Sequence, residues 1–287
     1  MIIQNSKELE ILREGGKKLA AILLEVAHHA IPGVSARELD DLAEKLILKA
    51  GGKPSFKGYK IRGAPRLAGG QAMPYPGALC VSINDEIVHG LPTDKILRAG
   101  DVVGLDIGMR WEELFTDTAL TILIAGERNL PTAQILQDRD MRVLAKSSAE
   151  ATESARQLIN ATKKSLEIGI AQVRAGAHVG DIGYAIQKHL EGEGLGVVRE
   201  LVGHGVGRAV HEEPEIPNWG HRGDGPELCE GQVIALEPMA TENGPRAPKI
   251  KIAKDGWTWL TRDGSRSAHF EHTVVVTRTG AEILTRF

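Results

Sequence analysis

At 287 residues and a formal net charge of −3, the chain is long enough to bury a sizeable core and too weakly charged for nucleic acid to be its main ligand. Its 42% hydrophobic and 25% charged residues match an ordinary soluble globular protein, and no apolar run approaches the roughly 20 residues of a membrane span. Cys80 and Cys229 are its only cysteines, which argues against a disulfide framework and for a reducing compartment.

From the start of the chain, Met1 to Glu8 show no basic stretch leading into an apolar one, so no signal peptide is expected and the cytoplasm is the expected location. Ser6, Glu8 and Leu9 open a helix in which Leu9, Leu12, Gly16, Leu19, Leu23, Val26 and Ala30 form one apolar stripe. After Pro32-Gly33, Ser35 is placed to cap a second helix carrying Leu39, Leu42, Leu46 and Ile47 and stopped at Gly51-Gly52. The Gly/Pro-rich, basic stretch from Lys60 to Pro74 reads as a surface loop. Strands dominate from about residue 75 to 125. A long helix is expected from roughly Gln137 to Glu167, and another from Val179 to Glu193, ending at Gly194.

The second helix pair echoes the first. A shift of 143 residues aligns Gly33 with Gly176, Leu39 with Ile182, Ala43 with Ile186, Ile47 with Leu190 and Gly51 with Gly194. The echo points to two related helix-plus-strand halves that share one sheet. Any two amphipathic helices ending in Gly would also align tolerably.

Chemistry enters with Asp106 and Asp117, on the arms of a hairpin formed by Val102–Gly108 and Phe115–Ile124. A turn centred between Trp111 and Glu112 sets the two carboxylates directly opposite each other, with Cβ atoms roughly 4.5–5.5 Å apart. Carboxylates that close repel unless cations lie between them or a proton is shared. The spacing suits two divalent metals about 3.5–4 Å apart. Alone, such a pair reads as a solvated hairpin face, but more ligands follow. His204 and His211 lie in the glycine-rich stretch Gly203–Pro214, where backbone can approach a bound group closely. Glu237 closes the apolar run Val233–Leu236, and Glu271 precedes the β-branched strand Thr273–Thr277. A carboxylate in an apolar strand is costly unless paired or metal-bound. Asp, Asp, His, Glu and Glu form a hard-donor set suited to Mn, Fe, Co or Zn.

In this order, the five residues resemble those of methionine aminopeptidases. The segments Val81–Pro92, Gly203–Pro214, Leu236-Glu237-Pro238-Met239 and Phe270-Glu271-His272-Thr273 look like that family's signatures, and the resemblance runs from Lys7 to Thr277. It implies an α+β pita-bread fold, an antiparallel sheet flanked by two pseudo-symmetric helix pairs, with residues 1–287 as one catalytic domain. It implies two divalent metal ions. Asp106 would hold one, His204 and Glu237 the other, with Asp117 and Glu271 bridging. Glu237 would serve as general base, His211 would stabilise the oxyanion, and His89 would contact the scissile amide. A methionine pocket would be built from Phe56, Tyr59, Tyr75, Cys80 and Trp257.

Two departures from the family stand out. Val210 occupies a position that is usually aromatic, which implies a looser pocket wall. The Lys60–Pro74 stretch replaces a very short link, and could be a lid, a contact for the nascent chain or a tolerated extension. The interval of 33 residues from His204 to Glu237 resembles the type I enzymes. An X-Pro aminopeptidase or dipeptidase with the same ligand types is the alternative, but only 105 residues precede Asp106, leaving little room for the extra N-terminal domain those enzymes usually carry. A non-catalytic homologue acting as a binding module would normally have lost a ligand, and all five are here. The expected partners are the N-terminal methionine of peptides and nascent proteins, with a ribosome contact left open, no membrane, and a monomer.

Overall fold

A computed structural model describes residues 1–60, 73–125 and 151–287, so residues 61–72 of the expected loop and 137–150 of the expected helix lie outside the described residues. Helix α1 spans Ser6–His29, opening at Ser6 as expected and capped by Asn5, whose side chain accepts a hydrogen bond from Glu8 N at 3.0 Å. Its apolar stripe buries Leu12, Gly16, Leu19, Leu23 and Val26. Helix α2, Ala36–Ala50, starts on a reciprocal Ser35–Glu38 capping box and stops at Gly51, whose φ of 88° needs a residue without Cβ.

Helices α3, Ala151–Ile170, and α4, Val179–Gly192, form the second pair. The echo extends to the helix ends. Asp181 accepts from His178 N at 2.9 Å, the part Glu38 plays for Ser35. Gly176 and Gly194 have φ of 82° and 77°, matching Gly33 and Gly51 at 93° and 88°.

Fifteen strands are found among the described residues: β1 Lys53–Pro54, β2 Leu79–Ile83, β3 Glu86–Val88, β4 Val102–Trp111, β5 Leu114–Leu123, β6 Gly196–Val197, β7 Gly203–Gly205, β8 Glu212–Ile216, β9 Val233–Leu236, β10 Met239–Thr241, β11 Ile250–Ile252, β12 Trp259–Thr261, β13 Ser267–His269, β14 Glu271–Val276 and β15 Ala281–Ile283. Nine of them form one antiparallel sheet with the path β1-β4-β5-β14-β9-β7-β8, β2 pairing with β4 and β15 with β14. Strands from both halves therefore meet at the β5–β14 seam. One buried cluster unites Leu19 and Leu23 of α1, Ala43 and Ile47 of α2, Leu158 of α3 and Ile186 of α4 with Leu105 and Ile107 of β4. Leu105 and Ile107 flank Asp106, and pleating sends the aspartate to the opposite face of the sheet.

The expected hairpin register is off by two. Glu112 and Glu113 form the turn, with Glu112 at φ 49°, and close Trp111 on Leu114. Asp106 therefore faces Ala119, and Asp117 faces Gly108. Because side chains repeat every two residues along a strand, the two aspartates still share a face, as diagonal rather than opposite neighbours.

Candidate metal centre and substrate cavity

Pairing across the seam builds the floor of the site. Asp106 on β4 is opposite Ala119 on β5, and Ala119 is opposite Glu271 on β14, so a carboxylate, a methyl group and a carboxylate lie in one row across three strands. The small Ala119 side chain leaves open the space between the acids. Asp117 lies two residues along on the same face. Past the pair His272–Thr118, the Thr273 hydroxyl takes over from the ladder, accepting from Asp117 N at 2.9 Å and donating to Asp117 O at 2.8 Å. The Thr118 hydroxyl donates to Glu271 O at 2.8 Å, so the main chain under both acids is held by side chains.

His204 comes from β7, and its flanking glycines serve the sheet. A Cβ on Gly203 would lie 2.4 Å from Ala235 O, and one on Gly205 would lie 2.2 Å from Glu213 O. At these two glycines the close backbone approach is made to β9 and β8. His204 Nδ1 lies 2.9 Å from Gly205 O. A carbonyl can only accept, so Nδ1 carries the proton and the Nε2 lone pair is left toward Glu237 Oε1, 3.5 Å away. Asn218 donates to the Glu237 carbonyl at 3.0 Å and holds the residue at the end of its strand.

These groups fit divalent ions. Asp117, His204 and Glu271 each offer a ligand atom within 4.8 Å of the other two. Asp106 Oδ1 and Glu271 Oε1 are buried with no hydrogen-bond partner among the described residues. Burial pushes Asp106 up to about 7 and Glu237 to about 8. Burial, then repulsion from neighbouring carboxylates, drives Asp117 and Glu271 well above the usual carboxylate range. Desolvation lowers His204 to about 3. Acids that resist ionisation beside an imidazole that resists protonation form a neutral donor set, whose charge cations would complete.

The twelve residues given metal-binding, catalytic or pocket roles from the sequence all border one cleft of about 770 Å³, its open mouth included: Phe56, Tyr59, Tyr75, Cys80, His89, Asp106, Asp117, His204, His211, Glu237, Trp257 and Glu271. Val88, Leu201, Val202 and Met239 also line it and were not anticipated. The apolar wall is built on Trp257, which stands edge-on to Tyr75 with ring centroids 5.2 Å apart. Asp255 Oδ1 accepts from Trp257 N and Thr258 N at 2.8 and 2.9 Å, a turn that fixes the tryptophan. Asp40 on α2 accepts from Ala78 N and Leu79 N at 2.7 and 2.9 Å and so fixes the segment between Tyr75 and Cys80. Val210 packs into the apolar cluster of Phe56, Tyr75, Cys80 and Trp257, yet does not border the cleft. The looser wall expected from it is therefore displaced to a second layer.

His211 stands at the mouth. Its Nδ1 lies 2.9 Å from the Tyr59 hydroxyl, and its ring centroid is 4.2 Å from that of His204. His89 follows β3 in a left-handed conformation, φ 58°, which a non-glycine residue adopts at a cost of about 1–3 kcal/mol. The next residue explains part of this. Gly90 lies so close to β2 that a Cβ would sit 2.2 Å from Val81 O, and its carbonyl accepts from Tyr75 Oη at 2.8 Å. Burial, then the neighbouring His211 and His269, lowers His89 to about 4. The sequence reading passed over His269, a buried imidazole with Nε2 3.5 Å from Glu237 Oε2. Its place just ahead of Glu271 was the available signal.

Comparison with known proteins places this geometry. Residues 10–278 match Metallopeptidase family M24 (Peptidase_M24). Methionine aminopeptidase 1 of Bacillus subtilis (strain 168) is 38% identical over 286 residues, covering 100% of this chain and 99% of the relative. The crystal structure of a methionine aminopeptidase from Thermotoga maritima superposes with a TM-score of 0.82 at 37% identity, with 100% of both chains covered. A prolidase from Pyrococcus furiosus shares the fold at 19% identity and a TM-score of 0.68, and this chain corresponds to 66% of its length.

Proposed function

The chain belongs to metallopeptidase family M24, and we propose that it hydrolyses the N-terminal methionine from peptides and nascent proteins. It has the pita-bread fold of its methionine aminopeptidase neighbours, and the sheet shared by both halves supports reading residues 1–287 as one catalytic domain. One observation carries the reading: Asp106, Asp117, His204, Glu237 and Glu271 border the same cleft as Phe56, Tyr59, Tyr75, Cys80 and Trp257.

The five donors would hold two divalent ions, Asp106 serving one, His204 and Glu237 the other, with Asp117 and Glu271 between them. Mn, Fe, Co and Zn all suit the set. Bound there, such ions would supply Lewis acidity and lower the pKa of water toward neutrality. Glu237 accepts the proton of the attacking water. His211, steered by Tyr59, donates to the carbonyl oxygen as negative charge develops on it. His89 holds the scissile amide nitrogen from the β3 side. The apolar wall takes the methionine side chain, whose unbranched thioether adapts to an irregular slot. A free α-amino group is required at the donor cluster, which restricts cleavage to chain ends. No helix among the described residues is long and apolar enough to cross a membrane. We place the enzyme in the cytoplasm, acting as a monomer.

Hydrolysis of Met-Ala-Ser, N-acetyl-Met-Ala-Ser, Leu-Ala-Ser, Lys-Ala-Ser and Ala-Pro-Ser by protein supplied with Mn or Co tests this. Met-Ala-Ser should be cleaved best, with Leu-Ala-Ser slower by about 10- to 200-fold. The acetylated peptide should be left intact. Preference for Ala-Pro-Ser would replace the reading with an X-Pro peptidase, and turnover of the blocked peptide would remove the role given to the free amine.

A further inference from the structure

We propose that His269 is a positioning residue for Glu237, an imidazole behind the carboxylate that holds it in the orientation in which it takes a divalent ion. The inference rests on the metal-site reading above and extends it to a residue outside the five donors.

His269 ends β13, which runs antiparallel to β10 with His269 opposite Met239, two residues beyond Glu237. Its main chain is clamped without help from the ring. His269 N donates to Thr121 Oγ1 at 2.9 Å, and the same hydroxyl donates back to His269 O at 2.7 Å. The residue is 3% exposed. Its Nε2 makes no hydrogen bond to any described residue and lies 3.5 Å from Glu237 Oε2. The other oxygen, Oε1, lies 3.5 Å from His204 Nε2. The Glu237 carboxylate thus stands between two imidazoles, one bordering the cleft and one behind it.

A buried ring nitrogen without a partner costs stability, and an apolar side chain on this already clamped strand would avoid that cost. A polar group kept where the local fold gains nothing from it marks a functional demand. Glu237 supplies the demand. Closing 3.5 Å to a hydrogen bond needs a shift of only a few tenths of an ångström. An Nε2–H donor on Oε2 would then fix the carboxylate's rotation and leave Oε1 for coordination. Partners of this kind behind metal ligands typically govern affinity by about 10- to 100-fold. Direct ligation by His269 is disfavoured, because His269 does not border the cleft and stands outside the cluster of Asp117, His204 and Glu271.

The test is Mn titration by calorimetry into chelator-stripped full-length protein, for the parent, His269→Leu and His269→Gln, with the melting temperature of each stripped form. His269→Leu should weaken Mn binding about 10- to 100-fold while melting at the same or a higher temperature. His269→Gln, which returns an N–H donor, should recover affinity to within about threefold of the parent. Parent-like Mn affinity in His269→Leu overturns the proposal, as does a loss in His269→Gln as large as that in His269→Leu. If His269→Leu does not fold, His269→Met, apolar and unbranched, takes its place: it should lose the same Mn affinity, and parent-like affinity in it overturns the proposal. A parent that takes up no Mn removes the metal-site reading and this inference with it, whereas a parent that binds Mn beside an unaffected His269→Leu overturns only the inference.

Discussion

Thr273→Val should destabilise the protein out of proportion to the single oxygen removed. The two side chains have nearly the same shape, and Thr273 is fully buried, so packing changes little. The loss is polar. The hydroxyl accepts from Asp117 N at 2.9 Å and donates to Asp117 O at 2.8 Å, where direct pairing between β5 and β14 has ended. Valine leaves a buried N–H and a buried C=O without partners, each costing about 1–3 kcal/mol. Partial relaxation toward water puts the sum nearer 2–4 kcal/mol, or about 3–7 °C in melting temperature for a chain of this size. Asp117 is also a proposed bridging ligand, so Mn affinity should fall as well. Melting of chelator-stripped protein and Mn calorimetry read the two effects, with Thr273→Ser as the control that keeps the hydroxyl. A melting temperature for Thr273→Val within about 1 °C of the parent, together with unchanged Mn affinity, would refute the argument that this hydroxyl completes the seam.

Asp117→Asn should lower Mn stoichiometry and abolish most activity, whereas His211→Ala should retain metal and lose about 10²–10³ in rate, as removal of one oxyanion donor does. Equal metal loss in both would show the division of roles to be wrong. Ala119→Val inserts methyl groups between Asp106 and Glu271; metal uptake should drop sharply, while the stripped protein loses no more than about 1–3 kcal/mol from overpacking. Uptake matching the parent would mean that the Ala119 gap is not needed. Stripped protein should also melt lower at pH 8 than at pH 6.5. Asp106 and Glu237, raised to about 7 and 8, hold protons that the unfolded chain has already released, so their contribution is lost as pH rises through those values. His89, His204, His211 and His272, lowered to about 4, 3, 4 and 3, oppose this only while the unfolded imidazoles lose their remaining protons just above about 6.5. Asp117 and Glu271, also raised, add to the loss and outweigh them. A higher melting temperature at pH 8 would reverse the assignment.

The features legible from the sequence were those decided locally. The stripe on α1 and the Ser35 cap of α2 depend on neighbours within one or two turns, and both are present. The donors were legible because carboxylates in apolar strands need compensation wherever the strands lie. The hairpin register was not. It depends on which two residues turn, and Glu112 accepts a left-handed conformation that its residue type does not advertise. The supporting residues were hidden for a related reason. Thr273 meets Asp117 across 156 positions, and Thr121 meets His269 across 148, so no local period marks either pair. The pocket residues came from the family resemblance alone, and that could not tell a residue bordering the cleft from Val210 packed behind it.

The site depends on the seam more than on either half. The first half offers Asp106 and Asp117 on one hairpin, an acidic pair with no imidazole beside it on those strands. The second half offers His204 on β7, Glu237 at the end of β9 and Glu271 on β14, with the Thr273 hydroxyl that fastens them to Asp117. Brought together around the small Ala119, the same charges become a donor set that cations can complete. The residues that stabilise the joint are therefore those that set the geometry of the donors, and a change at Thr118, Thr121 or Thr273 should register in metal affinity even though none of these threonines borders the cleft.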